Sequence, residues 1–200
     1  MGWVFLGGGL ALAGLFVYWL LVTTEGVFLG RRVVVWLYDL TAQRYDRIKE
    51  FDPDAERYLV TTPILEMLHD RRHPLLLDVA TGTGRVLDDL LAVETFTGRM
   101  IGLDASRLML KVAGKKMATA MAEGQVLLVH APAGQLPFPA NTFDAISCLE
   151  ALEFFPSDEG ALREIVRVLK PGGFLFTTRR TGREGRWFLH RYRPENEFLA

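Results

Sequence analysis

The sequence predicts an α/β domain built on a doubly wound, mostly parallel sheet, preceded by one N-terminal apolar helix. Three features carry this expectation. From Pro74 onward, short apolar runs alternate with stretches of helical period, and the runs are apolar on both faces, as strands of a covered parallel sheet are. The first run, Leu75 to Ala80, leads into a turn bearing Gly82 and Gly84 and then into a helix. The first 24 residues hold no charged side chain, in a 200-residue chain that carries 23 Lys and Arg against 24 Asp and Glu.

The N-terminal run from Trp3 to Val22 is wholly apolar apart from Tyr18 and the indoles. As a helix it would rise about 30 Å, the thickness of a bilayer's hydrocarbon core, with Trp3, Tyr18 and Trp19 at the interfaces. Residues 1–24 are therefore expected to form a transmembrane anchor. Arg31, Arg32, Arg44, Arg47 and Lys49 all follow the span, so the positive-inside rule puts the N-terminus outside and the remaining domain in the cytoplasm. A cleaved signal peptide would carry a basic leading segment, which is missing. Gly7, Ala11 and Gly14 share one helix face, open to packing against a second helix. Residues 25–55 read as a juxtamembrane connector, whose Val33-Val34-Val35-Trp36-Leu37 cluster either lies on lipid headgroups or packs on the domain.

Residues 56–200 form the domain. Strands are expected at Leu75 to Ala80, Met100 to Asp104, Val126 to Val129, Phe143 to Leu149 and Phe174 to Thr178. Between the first two, Val86, Leu87, Leu90 and Leu91 make the inner face of a helix. Ser106 and Ser157 can cap the helices that follow them, the second with Leu162, Ile165, Val166 and Leu169 inward. Lys170-Pro171-Gly172-Gly173 is expected to stop that helix.

Composition excludes several function classes. A net charge of −1 and a pI near 6.4 exclude a polycation that coats nucleic acid. Cys148 is the single cysteine, so an intramolecular disulfide framework and a multi-cysteine zinc site are excluded. The four histidines show no metal-ligand spacing, and no metal is expected.

In a doubly wound sheet, ligands sit beyond the carboxyl ends of the strands. That places Asp78-Val79-Ala80-Thr81-Gly82-Thr83-Gly84 at the site, with glycines that let backbone approach a ligand and a helix start that favours negative charge. Asp104, ending the second strand, can accept hydrogen bonds from two ribose hydroxyls; its alternative role is a helix cap. A nicotinamide fingerprint would want glycine at 87, which is Leu87.

Four motifs in order, DVATGTG at 78–84, GLDAS at 102–106, LPFPANTFD at 136–144 and LKPGG at 169–173, resemble a class I S-adenosylmethionine-dependent methyltransferase. The likeness is to the branch containing the ubiquinone/menaquinone C-methyltransferases, and it covers roughly Tyr38 to Arg180. It implies a Rossmann-like fold and S-adenosyl-L-methionine as cofactor. Asp78, Ala80, Thr81, Gly82, Thr83 and Gly84 would line its methionine end, and Leu149 would face its amino group. Asp104 would hold the ribose, with Ala105 and Ser106 beside it. Adenine would rest near Ala133 and Gly134, because the acid this family often uses there falls near Pro132 and is missing. The other departure is Ala80, where a glycine is usual. The Tyr38-Asp39…Tyr45-Asp46 repeat resembles the helix that closes over the cofactor. The family fold usually carries two more strands, whereas this chain stops at Ala200, so a truncated chain or an abbreviated sheet is expected.

The resemblance implies methyl transfer to a small or lipid-like acceptor, and the expected anchor puts that reaction at the cytoplasmic membrane face. Glu150, just past the fourth strand, is the leading candidate for a base or orienting acid, followed by Tyr45 and Glu153; a local cap or salt bridge is the alternative role for Glu150. Two other functions compete: a noncatalytic cofactor-binding or scaffolding protein, and an NAD-dependent oxidoreductase. Beyond Thr178, six arginines with Trp187, Phe188, His190 and Tyr192 read as a strip for lipid phosphate or nucleic acid, or as a solvated loop over the active site.

Overall fold

The computed structural model describes residues 2–178 and 186–191. The chain opens with helix α1 (Gly2–Tyr18), which passes at Trp19–Thr23 into a wider π-helical turn. The transmembrane anchor expected over residues 1–24 finds no support here. Among the described residues no helix is long and apolar enough to cross a membrane. The aromatic end expected at an interface is instead turned back on the chain. Trp19 stacks on Phe28 with ring centroids 5.3 Å apart, and the Leu20 carbonyl accepts from Thr24 Oγ1 and the Gly26 N–H, both at 3.0 Å.

Helix α2 (Arg31–Thr41) decides between the two roles of the Val33–Leu37 cluster. Val34 is buried with Val27, Phe154 and Phe188, so one face packs on the domain, while Trp36 and Leu40 point outward at 54% and 65% exposure. Short helices α3 (Tyr45–Lys49) and α4 (Pro53–Glu56) follow. Asp52 caps α4 by accepting from the Asp54 and Ala55 N–H groups. Helix α5 (Thr62–Leu68) leads into strand β1 (Leu75–Val79), and α6 (Arg85–Leu91) connects it to β2 (Arg99–Asp104). Helices α7 (Arg107–Lys116) and α8 (Ala118–Ala122) precede β3 (Val126–His130), then come β4 (Phe143–Cys148), α9 (Asp158–Val168) and β5 (Leu169–Thr177).

The five strands run parallel in the order β3-β2-β1-β4-β5. The chain winds outward from β1 to β3 and then returns to β4 on the other side of β1, which is the reversal that opens a crevice at the strand ends. Side chains alternate between two cores. Leu76, Met100 and Ala145 face α5 to α8, and Leu77, Leu103 and Ile146 face α9. Five described strands fit a Rossmann-like methyltransferase sheet; the end of the chain, including most of the arginine-rich strip and the residues 197–200, lies outside the described residues.

Two local expectations shift. On α9 the buried face is the i, i+4, i+7 stripe Ala161, Ile165 and Val168, with Leu162 and Leu169 partly buried beside it, and Val166 lies off that stripe at 62% exposure. The Lys170-Pro171-Gly172-Gly173 segment does end α9 but also lies within β5, as an irregularity. Pairing with β4 jumps from Phe143↔Leu169 to Ala145↔Phe174. A Cβ on Gly173 would come within 2.9 Å of the Asp144 carbonyl oxygen. Lys170 Nζ donates to both Asp144 oxygens at 3.0 Å, Arg71 Nη1 to Oδ1 at 2.9 Å and the Leu75 N–H to Oδ2 at 2.9 Å. The Asp144 carboxylate thus ties β4 to the start of β1 and to the β5 irregularity.

Candidate active site

At the carboxyl ends of β1, β2 and β4 lies a cavity of about 290 Å³, predominantly apolar in lining. Its floor is the loop from Ala80 to Gly84. Ala80, Gly82 and Gly84 all have positive φ, at +59°, +55° and +81°. The loop is pinned to β2 twice, by Thr81 N–H donating to the Leu103 carbonyl at 3.0 Å and Gly82 N–H donating to Asp104 Oδ2 at 2.8 Å. A Cβ on Gly82 would meet nothing within 4 Å, so at that point the backbone faces open cavity. Gly84 is different. A Cβ there would collide with Met117 Cε, so this glycine seats the loop beside the end of α7 and does not line the cavity.

Asp104 also accepts the Ser106 N–H on Oδ1 at 2.7 Å, so one carboxylate fastens both loops, and its lone pairs are not exhausted by these bonds. Burial raises its pKa above the usual carboxylate value, although the Ser106 and Gly82 N–H groups pull it down. The helix cap itself falls to Ser106, whose hydroxyl accepts the Met109 N–H at 3.0 Å. Ala105, Ser106, Ala131, Pro132, Ala133 and Gly134 complete this end, where Asp104 supplies the carboxylate among the described residues of the wall.

Asp78 stands apart from the cavity. It is 3% exposed and pairs in register with Ser147 of β4, whose hydroxyl donates to Oδ1 at 2.7 Å. Burial pushes its pKa up to about 6, against the Thr81 and Ser147 hydroxyls.

The second half of the cavity is walled by the N-terminal elements. Tyr38 and Tyr45 lie with ring centroids 5.8 Å apart, Phe51 lies 6.3 Å beyond Tyr45, and Phe154 meets Tyr38 edge-on at 6.0 Å. The Tyr-Asp repeat divides its labour: the two tyrosines line the wall, and the two aspartates latch the cofactor-side loops. Asp39 accepts from the Ser106 hydroxyl, and Asp46 accepts from the Thr83 hydroxyl and pairs with Lys116. Burial, reinforced by Glu150 and Glu25, raises the Tyr45 pKa, so its phenol is a donor and not a base at neutral pH.

Leu149 and Glu150 line the cavity beyond β4, and Glu153 does not. Glu150 has φ +51°, and its N–H donates to Thr178 Oγ1 at 2.6 Å. Its carboxylate lies between Lys49 Nζ at 3.6 Å and Arg85 Nη2 at 3.4 Å. Arg85 also pairs with Glu56 and stacks over the Phe51 ring at 4.1 Å. The local salt bridge is therefore present, in the cavity wall itself. Arg31, Phe51, Arg85, Phe154 and Phe155 also line the site, none of them in a motif; only the periodicity of α2, which puts Arg31, Val34, Val35 and Tyr38 on one face, carried a signal for any of this wall.

Known proteins share this architecture. The family described as a methyltransferase domain matches residues 77–177. The ubiquinone/menaquinone biosynthesis C-methyltransferase UbiE of Enterobacter sp. (strain 638) is 41% identical over 143 residues, covering 72% of this chain and 57% of that protein. The UbiE of Escherichia fergusonii is 33% identical over the same shares. The chain thus spans little more than half the length of the curated relatives it matches. Among solved structures, the [4+2]-cyclase SpnF superposes with a TM-score of 0.63 at 26% identity, covering 74% of this chain and 60% of that one. A SAM-dependent methyltransferase from Aquifex aeolicus superposes with a TM-score of 0.52 at 23% identity over 66% and 78%, a likeness of fold. The chain belongs to the class I S-adenosylmethionine-dependent methyltransferase family and resembles its ubiquinone/menaquinone C-methyltransferase branch.

Proposed function

We propose that this protein transfers a methyl group from S-adenosylmethionine to a small or lipid-like acceptor held in the aromatic half of the cavity. The observation that carries this reading is Asp104: a half-buried carboxylate with acceptor capacity left, facing the same cavity as the open backbone at Gly82. These residues fit a ribose and the chain beside it. When bound, S-adenosylmethionine supplies an electrophilic methyl on sulfur and leaves as a thioether; the acceptor atom gains the methyl and, where it carried a proton, releases it. Asp104 and the Ala80–Gly84 loop fix one partner, and the wall of Tyr38, Tyr45, Phe51 and Phe154 fixes the other. Holding the two in line accounts for up to about 7–11 kcal/mol of barrier lowering. Tyr45 donates a hydrogen bond to the acceptor, and Glu150, held by Lys49 and Arg85, orients it or takes its proton.

The surface of α1, apolar on all sides with Leu10 and Leu12 at 69% exposure and Leu15 at 64%, supports contact with a lipid bilayer, and Arg31 and Arg32 beyond it suit the cytoplasmic side. That address favours a lipid-phase acceptor. A second reading, cofactor binding without methyl transfer, is favoured by the likeness to a protein named as a cyclase. An oxidoreductase is disfavoured by Leu87, which is fully buried where a nucleotide fingerprint wants glycine.

Calorimetric titration with S-adenosylmethionine and with NADH, followed by a radiolabelled-methyl screen over extracted membrane lipids, tests these readings together. Binding of S-adenosylmethionine with label transferred to a lipid supports the proposal. Tight binding with no transfer to any fraction supports the second reading, and preference for NADH overturns both.

A further inference from the structure

Among the described residues, four charged side chains line the cavity: Arg31, Arg85, Asp104 and Glu150. Three are accounted for. Arg85 pairs with Glu56 and Glu150, Glu150 with Arg85 and Lys49, and Asp104 with two backbone N–H groups. Arg31 alone has no hydrogen bond or ion pair among the described residues. It sits at one end of a stripe on α2, with Val34 and Val35 one turn on and Tyr38 two turns on, all of them lining the cavity. From Arg31 to Tyr38 the helix rises about 10 Å. The stripe therefore presents an exposed positive charge, then an apolar stretch that shares the cavity wall with Phe154 and Phe155, then the phenol wall beside Glu150.

We propose that Arg31 determines acceptor specificity by binding an anionic group at the far end of the acceptor, so that the acceptor is an anionic amphiphile. Its acidic group pairs with the guanidinium, its apolar body lies along Val34 and Val35, and its reacting atom is left at the Tyr45 and Glu150 end. The chemistry of the stripe selects an anion on a short apolar body; a carboxylate and a phosphate monoester both qualify. A guanidinium takes either in a two-pronged hydrogen bond, which a neutral head cannot match. The inference rests on the proposed function for the statement that this half of the cavity holds the acceptor.

The test uses the full chain with S-adenosylmethionine present, and titrates octanoate, octyl phosphate and 1-octanol by calorimetry. Four proteins are compared: wild type, Arg31→Gln, Arg31→Lys and Arg32→Gln. Arg32 is the neighbouring exposed arginine that does not line the cavity, so it controls for general surface attraction. The expected result is about tenfold weaker binding of one or both anions in Arg31→Gln, the loss of one charge-assisted hydrogen bond. Arg31→Lys keeps the charge but loses the two-pronged geometry, so its binding falls between wild type and Arg31→Gln. Arg32→Gln matches wild type, and 1-octanol binds all four alike. The better of the two anions names the head group. Equal anion binding in wild type and Arg31→Gln overturns the proposal, as does an equal loss in Arg32→Gln or no anion binding to the wild type. S-adenosylmethionine affinity is measured first in each protein. If the wild type fails to bind it, the methyltransferase reading fails, while the octanoate comparison still decides the role of Arg31.

Discussion

Replacing Asp78 by Asn changes the charge of a buried carboxyl with almost no change of shape, and the consequence depends on pH in a calculable way. Asp78 sits at the end of β1 in contact with Ser147, and burial raises its pKa from 3.8 to about 6. A carboxyl whose folded value lies above its unfolded value binds protons more tightly when folded. Its contribution to stability is fully present below about pH 4 and is lost as the pH rises through 6. A rise of that size corresponds to about 3 kcal/mol, the cost of holding the charge in place at neutral pH. In Asp78→Asn the Ser147 hydroxyl still donates to the side-chain oxygen and the charge is gone. Urea unfolding across pH 4 to 8 is expected to show the variant more stable than wild type by up to about 3 kcal/mol above pH 7. The difference should shrink towards zero near pH 4. A variant less stable than wild type at pH 7 would refute the reasoning, by showing that the charge of Asp78 is compensated in the fold.

Other substitutions test other parts of the frame. Ala80→Gly removes a side chain from a residue at φ +59°; relief of about 1–2 kcal/mol less the chain entropy of glycine should raise stability by up to about 1 kcal/mol in the same assay. Gly84→Ala drives a Cβ against Met117 at a φ of +81°, and should cost about 2–4 kcal/mol and lower the melting temperature. Asp144→Ala leaves the Leu75 N–H and the cations Arg71 and Lys170 without their acceptor and should cost about 2–3 kcal/mol at pH 7. Although burial pushes the Asp144 pKa up, the Leu75 N–H, Lys170 and Arg71 outweigh it and hold it low. That stabilisation is present above the unfolded value near 4 and is lost as the pH falls through the lower folded value, so the difference from wild type should narrow in acid.

The sheet was legible because its strands are apolar runs bounded by turns, and Ser106 and Ser157 cap the helices that their positions announce. Gly82, Asp104 and Ser106 were legible because loop geometry at a strand end demands particular residue types. Gly84 and Asp78 belong to the same motif yet serve packing and the sheet, since a motif records which residues occur together and not what each one touches. The aromatic wall was largely illegible: Arg85 meets Phe51, and Phe154 meets Tyr38, only through tertiary contact between elements far apart in sequence. At the N-terminus apolar composition reads as a span but does not announce the π-helical turn beyond Tyr18 or the stacking of Trp19 on Phe28.

Isothermal titration of S-adenosylmethionine into the wild-type protein and into Asp104→Ala tests the central claim most directly, with thermal unfolding of both proteins to verify the fold. Loss of the carboxylate removes its hydrogen bonds to the ligand, together worth about 1–3 kcal/mol net, so the affinity should fall by roughly 5- to 150-fold. A folded Asp104→Ala protein that binds S-adenosylmethionine as tightly as wild type would contradict the assignment of this cavity as the cofactor site.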